Sequence, residues 1–243
     1  VKNGSGDLTL SHQNTYTGDT TINGGKVTLD GNNASFGNGT VTFANATTLA
    51  TSSNVTVANA VQLDGQTTLN TATANSSLAV SNISNAITGN TGSLIKTGIG
   101  TLTLNAENTY TGNTAITAGK VVLGSNAATL GVGGTVTLAD ATTLETSANT
   151  IVANAVTLSG GQATFSTVSA NNSLTISKAI DGAGGLIKSG TGTLTLDAAN
   201  TYKGGTTVNA GTVVLATDTA SLGSGAVTLK AGTILDTAAS LAN

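Results

Sequence analysis

Two carboxylates held at a fixed separation across a sugar can cleave a glycosidic bond, so acidic residues have the widest chemical reach in this chain. Eleven acids occur among 243 residues, and Asp7, Asp19 and Asp30 lie near one another in sequence. One long repeat later their places are taken by Thr101, Asn113 and Gly124. A site for β-elimination would also need Arg or several acids around Ca²⁺, and Arg is absent. His12 is the only histidine and has no nearby carboxylate or hydroxyl pattern, so it is expected on the surface. Serine is abundant, but no Gly-x-Ser-x-Gly elbow precedes a matching Asp and His in chain order. The absence of Cys excludes disulfides, thiolate metal sites and thiol catalysis. No catalytic residue, cofactor-binding residue or metal ligand is therefore expected, no cofactor is called for, and the chain is not expected to be an enzyme.

Tyr16, Tyr110 and Tyr202 are the most conspicuous side chains, and as an aromatic platform they would suit a glycan or a partner protein. Each sits in Asn-Thr-Tyr-Thr-Gly or, at the third copy, Asn-Thr-Tyr-Lys-Gly. The expectation here is architectural: each ring covers a wall or corner while Asn14, Asn108 and Asn200 bond the backbone of a turn. Lys2, Lys96 and Lys188 recur at the same spacing and are expected to form a solvated, weakly basic stripe along one face. Thr101/Thr103 and Thr193/Thr195 form pairs suited to an ice-binding array, but such a pair is not found at every turn. Gly4-Ser5-Gly6-Asp7-Leu8 has the outline of a calcium nonapeptide, but Thr101 and Thr193 stand where Asp7 does.

The elements that must position these residues follow from the spacing. Successive tyrosines are 94 and 92 residues apart, and a fixed internal period signals a solenoid or related repeat architecture. Units run over 1–94, 95–186 and 187–243, about 2.6 copies of a ~93-residue unit with the third truncated. Aromatics are 2% and charged residues 8%, too few for an ordinary globule, whereas 38% hydrophobic content is too much for a disordered tail. Pro is absent, as suits a chain whose N–H groups nearly all enter a sheet ladder. The net charge of −3 and eight scattered Lys argue against nucleic acid as a partner. No apolar run is long enough to cross a bilayer, so no membrane insertion of this segment is expected. The start at Val1, without a leader pattern, suggests a piece of a longer protein.

Leu8-Thr9-Leu10, Val55-Thr56-Val57, Leu102-Thr103-Leu104 and Leu194-Thr195-Leu196 alternate apolar and polar residues, which argues for short half-buried strands. Asn23-Gly24, Asp30-Gly31, Asp64-Gly65 and Asp181-Gly182 supply turns between them. With so few bulky residues a sandwich core is hard to fill, and stacked coils of a parallel β-helix fit better. At about 20 residues per coil, each unit makes four to five coils and the chain about 12, a rod roughly 55–60 Å long.

Gly-x-Leu-Thr-Leu, a spacer, Asn-Thr-Tyr-Thr-Gly-x-Thr and Ile-x-x-Gly-x-Val-x-Leu together resemble the autotransporter-associated β-strand repeat. The pattern reads from Gly6 to Leu29, Gly100 to Leu123 and Gly192 to Leu215. The resemblance implies an all-β, right-handed parallel β-helix in a bacterial passenger exported through a C-terminal outer-membrane barrel. It implies an extracellular or cell-surface rod acting as adhesin, stalk or biofilm-matrix component. The partners expected are a protein or glycan on another surface, or further copies joined end to end as a fibre. A β-helix polysaccharide-active enzyme is the remaining alternative.

Overall fold

The computed structural model describes residues 1–80 and 86–237, so the end of the third unit, 238–243, lies outside the described residues. Among the described residues there are 27 strands and no helix. All strand pairs are parallel, as in Thr101↔Lys120, Leu102↔Val121, Thr103↔Val122 and Leu104↔Leu123. A parallel partner must be reached by a crossover, and here each crossover is one circuit of a β-solenoid with about 11 turns. At ~4.8 Å per turn the rod is about 50 Å long, one turn short of the sequence estimate.

Alternation determines what each strand buries. Thr101–Leu104 and Thr193–Leu196 each place their two Leu inward and their two Thr outward. Stacking then aligns inward positions of successive coils. Leu69, Lys96 and Ile116 occupy adjacent rungs, and Ile116, Leu138 and Leu158 continue the column. The core is accordingly a narrow axial stack of Leu, Val and Ile, each worth about 1.5–3 kcal/mol when fully buried. Stability is shared between neighbouring coils along that stack.

The rod has three faces. The first runs through nine strands from Asp7–Leu10 to Ile180–Gly182, and the second through nine from Asn54–Val57 to Val227–Leu229. The third holds two sheets, one ending at Ile87–Thr88 and the other starting at Asn149–Val152. The gap between those sheets is filled by two irregular passes. Thr109 and Thr111 N–H groups donate to the carbonyls of Ile87 and Gly89, Val132 N–H donates to the Tyr110 carbonyl, and Asn149 N–H meets Asn126 Oδ1. The Asn-Thr-Tyr-Thr-Gly corner thus takes the place of a strand.

The second unit contains 11 strands, from Ser93–Thr97 to Ile180–Gly182, and two irregular passes. Those passes make four full circuits and one extra face, so every unit begins one face further round. The corner at Asn14 lies on the second face, that at Asn108 on the third and that at Asn200 on the first, where Thr201 N–H donates to Ile180. The expected single stripe of Lys2, Lys96 and Lys188 is therefore corrected. Lys2 bridges Ile22 on the third face, Lys96 lies in Ser93–Thr97 on the first, and Lys188 lies in Gly185–Ser189 on the second.

Candidate binding surface at the repeat corners

The corner is built around its asparagine. Asn108 Nδ2 donates to the carbonyls of Ala106 at 3.1 Å and Thr129 at 2.7 Å, while its Oδ1 accepts from Ile87 N–H at 2.9 Å. One buried side chain thereby joins three successive coils. Asn200 repeats the arrangement with Ala198, Ser221 and Ile180. Two residues on, Tyr110 and Tyr202 are fully buried, and their hydroxyls bond Thr114 and Thr206 at 2.6 Å. Burial raises the pKa of both phenols, so they stay neutral. Each ring packs against a glycine of the following coil, Gly131 or Gly223, where any Cβ would collide with it. The aromatic platform is thus excluded for these two residues. Tyr16, in the first coil, remains 43% exposed and bonds Thr20.

The lysines behave in the opposite way to the expected solvated stripe. Lys96 and Lys188 are fully buried, because alternation within Leu94-Ile95-Lys96 and Leu186-Ile187-Lys188 turns Leu and Lys to the same side. Lys96 Nζ donates to the carbonyls of Thr97, Gly98 and Ala118 at 2.9, 2.7 and 3.1 Å. Lys188 does the same with Ser189, Gly190 and Ala210. The ammonium satisfies all three donors on turn carbonyls of two coils, with no carboxylate involved. Desolvation lowers both amines to about 8. Lys2 holds Gly4 and Gly24 in the same manner from a less enclosed position. The signal available in the sequence was parity: Lys96 shares a strand face with Leu94.

Outside these pins the corners carry a surface. At the first corner a concavity of about 310 Å³ spans three coils, with Gln13 and Asn14 on one, Asn38 on the next, and Thr56 and Asn59 on the third. A smaller one of about 190 Å³ extends it past Asn33. Asn59 Nδ2 braces the floor on the carbonyls of Gly37 and Gly39 at 2.6 and 2.7 Å. The side-chain amides of the exposed Gln13, Asn33 and Asn38 form no hydrogen bond within the described residues. At the second corner the floor is kept, with Asn154 donating to Gly134. Its outward residues are instead Glu107, Ala127, Val132 and Ile151, the last two 46% and 59% exposed.

Residues 1–29, 94–123 and 186–215, the opening strands and the corner of each unit, match the passenger-associated-transport-repeat. Passenger-associated-transport-repeats thus occur three times along the chain. It is also 36% identical over 235 residues to a curated relative, the adhesin BmaC autotransporter of Brucella suis biovar 1. That match covers 86% of this chain and 7% of the relative's length. No solved structure matches. The repeat and the autotransporter relative assign the segment to the bacterial cell surface or the extracellular space.

In the first unit, Asp7, Asp19 and Asp30 serve local structure. Asp7 pairs with Lys26 at 2.7 Å, Asp19 Oδ1 accepts from Thr40 N–H at 2.8 Å, and Asp30 Oδ1 accepts from Ser52 at 2.9 Å. The three carboxylates are thus committed to three separate partners. His12 is exposed, and its backbone carbonyl accepts from Ser35 and Asn14. The outward threonine rows are broken: Thr101 lies between Ser77 and Lys120, and Thr195 beside Val214. Sequence reading missed the groove residues Gln13, Asn33, Asn38 and Thr56. Their convergence depends on coil length, which brings residues about 20 apart into contact.

Proposed function

We propose that this chain is a non-catalytic display shaft of an autotransporter adhesin, one array of units 1–94, 95–186 and 187–243 within a longer passenger. The observation that carries this is the division of labour at the corners. Residues that pin coils recur in each unit, whereas outward residues at the same positions differ in size, polarity and charge. A rod that only spaced two domains would gain nothing from such differences. A surface that contacts varied partners gains specificity from them. The relative's name, an adhesin, supports the same reading. So do the separate commitments of Asp7, Asp19 and Asp30, which speak against a paired-carboxylate hydrolase.

The experiment is surface display of this segment on a non-adherent bacterium through a heterologous autotransporter barrel. Attachment to epithelial monolayers and to abiotic surfaces is expected to rise several-fold over the barrel alone. Attachment equal to the barrel alone would remove the adhesin reading. Electron microscopy of the purified chain is expected to show single rods about 50 Å long. Filaments that lengthen with concentration would favour the self-assembling fibre instead.

A further inference from the structure

We propose that the groove across the first corner is a subsite for an uncharged oligosaccharide, an inference that rests on the adhesin reading above and names its ligand class. The groove is concave, and its volume of about 310 Å³ reaches the lower end of the range for ligand pockets. None of its lining residues is charged. Its polar rim is carboxamide and hydroxyl: Gln13, Asn33, Asn38 and Thr56, all exposed. Each carboxamide offers two N–H donors and a carbonyl acceptor, which matches the paired donor and acceptor character of sugar hydroxyls. A phosphate, sulfate or carboxylate ligand would demand a cation that this groove lacks.

The rim is free and the floor is fixed. Among the described residues, the amides of Gln13, Asn33 and Asn38 have no partner within the chain, so binding breaks no internal bond. Asn14 and Asn59 meanwhile hold the three coils together beneath them. The pinned coils fix the backbone beneath the rim, so the ordering cost of binding is confined to the rim side chains. No aromatic ring among the groove-lining residues is available for stacking, because Phe36 is 3% exposed and the exposed Tyr16 does not line the groove. A single site therefore binds weakly, with Kd on the order of 1 mM, and useful adhesion comes from many sites on many rods. The second corner, where Val132 and Ile151 replace Asn38 and Thr56, keeps the floor without the rim.

The test uses the whole chain and saturation-transfer NMR against neutral gluco-, galacto-, manno- and N-acetylglucosamine oligomers, with sialylated and sulfated oligosaccharides as charged probes. At least one neutral series is expected to bind. The triple variant Asn33→Ala, Asn38→Val, Thr56→Ile places second-corner residues on the first, a combination the fold already accepts, so melting should be unchanged. Its affinity is expected to fall about tenfold or more. The reciprocal variant Glu107→Gln, Ala127→Asn, Val132→Asn, Ile151→Thr is expected to add a second site of the same preference, and a variant that gains none overturns the proposal. Failure of every neutral oligomer to bind overturns the proposal, as does undiminished binding by the triple variant or binding restricted to charged probes. Persistent cell attachment alongside any of those results leaves the adhesin reading standing without this ligand. Loss of attachment by the wild-type segment removes that reading instead.

Discussion

The corner after Leu10 and the corner after Leu104 are the same device at two depths. Asn14 bonds the carbonyls of His12 and Ser35, on its own coil and the next. Asn108 bonds Ala106 and Thr129 in the same way, and also takes the N–H of Ile87 from the coil before. Tyr16 is 43% exposed where Tyr110 is buried, and Lys2 is half-buried where Lys96 is sealed. The motif is thus designed to be covered from both sides, and its full strength depends on a coil stacked on each. Meanwhile the outward positions differ in chemistry, from amides at the first corner to Val and Ile at the second. Pinning and display therefore sit on separate residues of one motif, and each can be altered without the other.

The sharpest way to break the comparison is to remove the asparagine at each depth. Asn108→Ala leaves the Ile87 N–H and the Thr129 carbonyl without their buried partner and the Ala106 carbonyl with only the Thr129 N–H, and is expected to cost about 3–4 kcal/mol. Asn14→Ala, measured in this same segment, removes two bonds in a partly solvated environment and is expected to cost about 1 kcal/mol. Urea unfolding of the two variants checks this, and equal costs would show that depth in the stack is irrelevant.

The lysines come next. Lys96→Met keeps the aliphatic length but strips three turn carbonyls of their donor, so a loss of about 2–3 kcal/mol is expected. Lys2→Met, near solvent, should lose less than about 1 kcal/mol. The pH dependence distinguishes the two further. Lys96 titrates at about 8 when folded, against 10.5 in its unperturbed state. Below pH 8 both states carry the proton, and the desolvation penalty of the folded ammonium is present in full. Between pH 8 and 10.5 the unfolded chain binds more protons than the folded one, so stability rises with pH across that window. The rise is expected to shrink in Lys96→Met and to persist in Lys2→Met. Thermal melts from pH 7.5 to 10.5 read it directly, and an identical slope in wild type and Lys96→Met would refute the assignment.

How far these contrasts were legible in the sequence depends on the range of the signal. Leu-Thr-Leu alternation is local and gave the strands, and the tyrosine spacing gave the units, so the stacked β-helix followed from residues alone. The burial of Lys96 was also within reach, since Leu94 and Lys96 share parity, but a charged residue outweighed that pattern in the reading. The turn of one face per unit was not legible. It arises because two stretches of each unit, in the second the corner at Asn105–Asn113 and the pass through Val132, fill strand places without forming strands, and only the ladder from Ile87 through Tyr110 shows this. The groove was equally hidden. Gln13, Asn33, Asn38 and Thr56 have no shared motif, and they meet because successive coils put them side by side.

The smallest expected effect concerns a turn that all three units solve. Ala46 and Ala141 have φ of 60° and 56°, a left-handed conformation in which Cβ crowds the backbone. They are held there by equivalent bonds. Ala46 and Ala141 N–H groups donate to the carbonyls of Gln66 and Gln162, and the preceding Asn45 and Asp140 accept from the N–H groups of those same glutamines. Thr47 and Thr142 close the turn from the other side by donating to Ala44 and Ala139 at 2.6 Å. The third unit has the same closure, Thr233 to Lys230, but places Gly232 at the left-handed position, with φ of 79°. Glycine there relieves the Cβ clash and loses some of that gain to its more flexible unfolded state. Ala46→Gly and Ala141→Gly are each expected to stabilise the rod by about 0.5–1 kcal/mol, read as a higher urea midpoint at unchanged slope. The two gains should be equal and additive, because the turns are alike and far apart. A gain at one turn and a loss at the other would show that the first two units differ in their framework as well as in their surface.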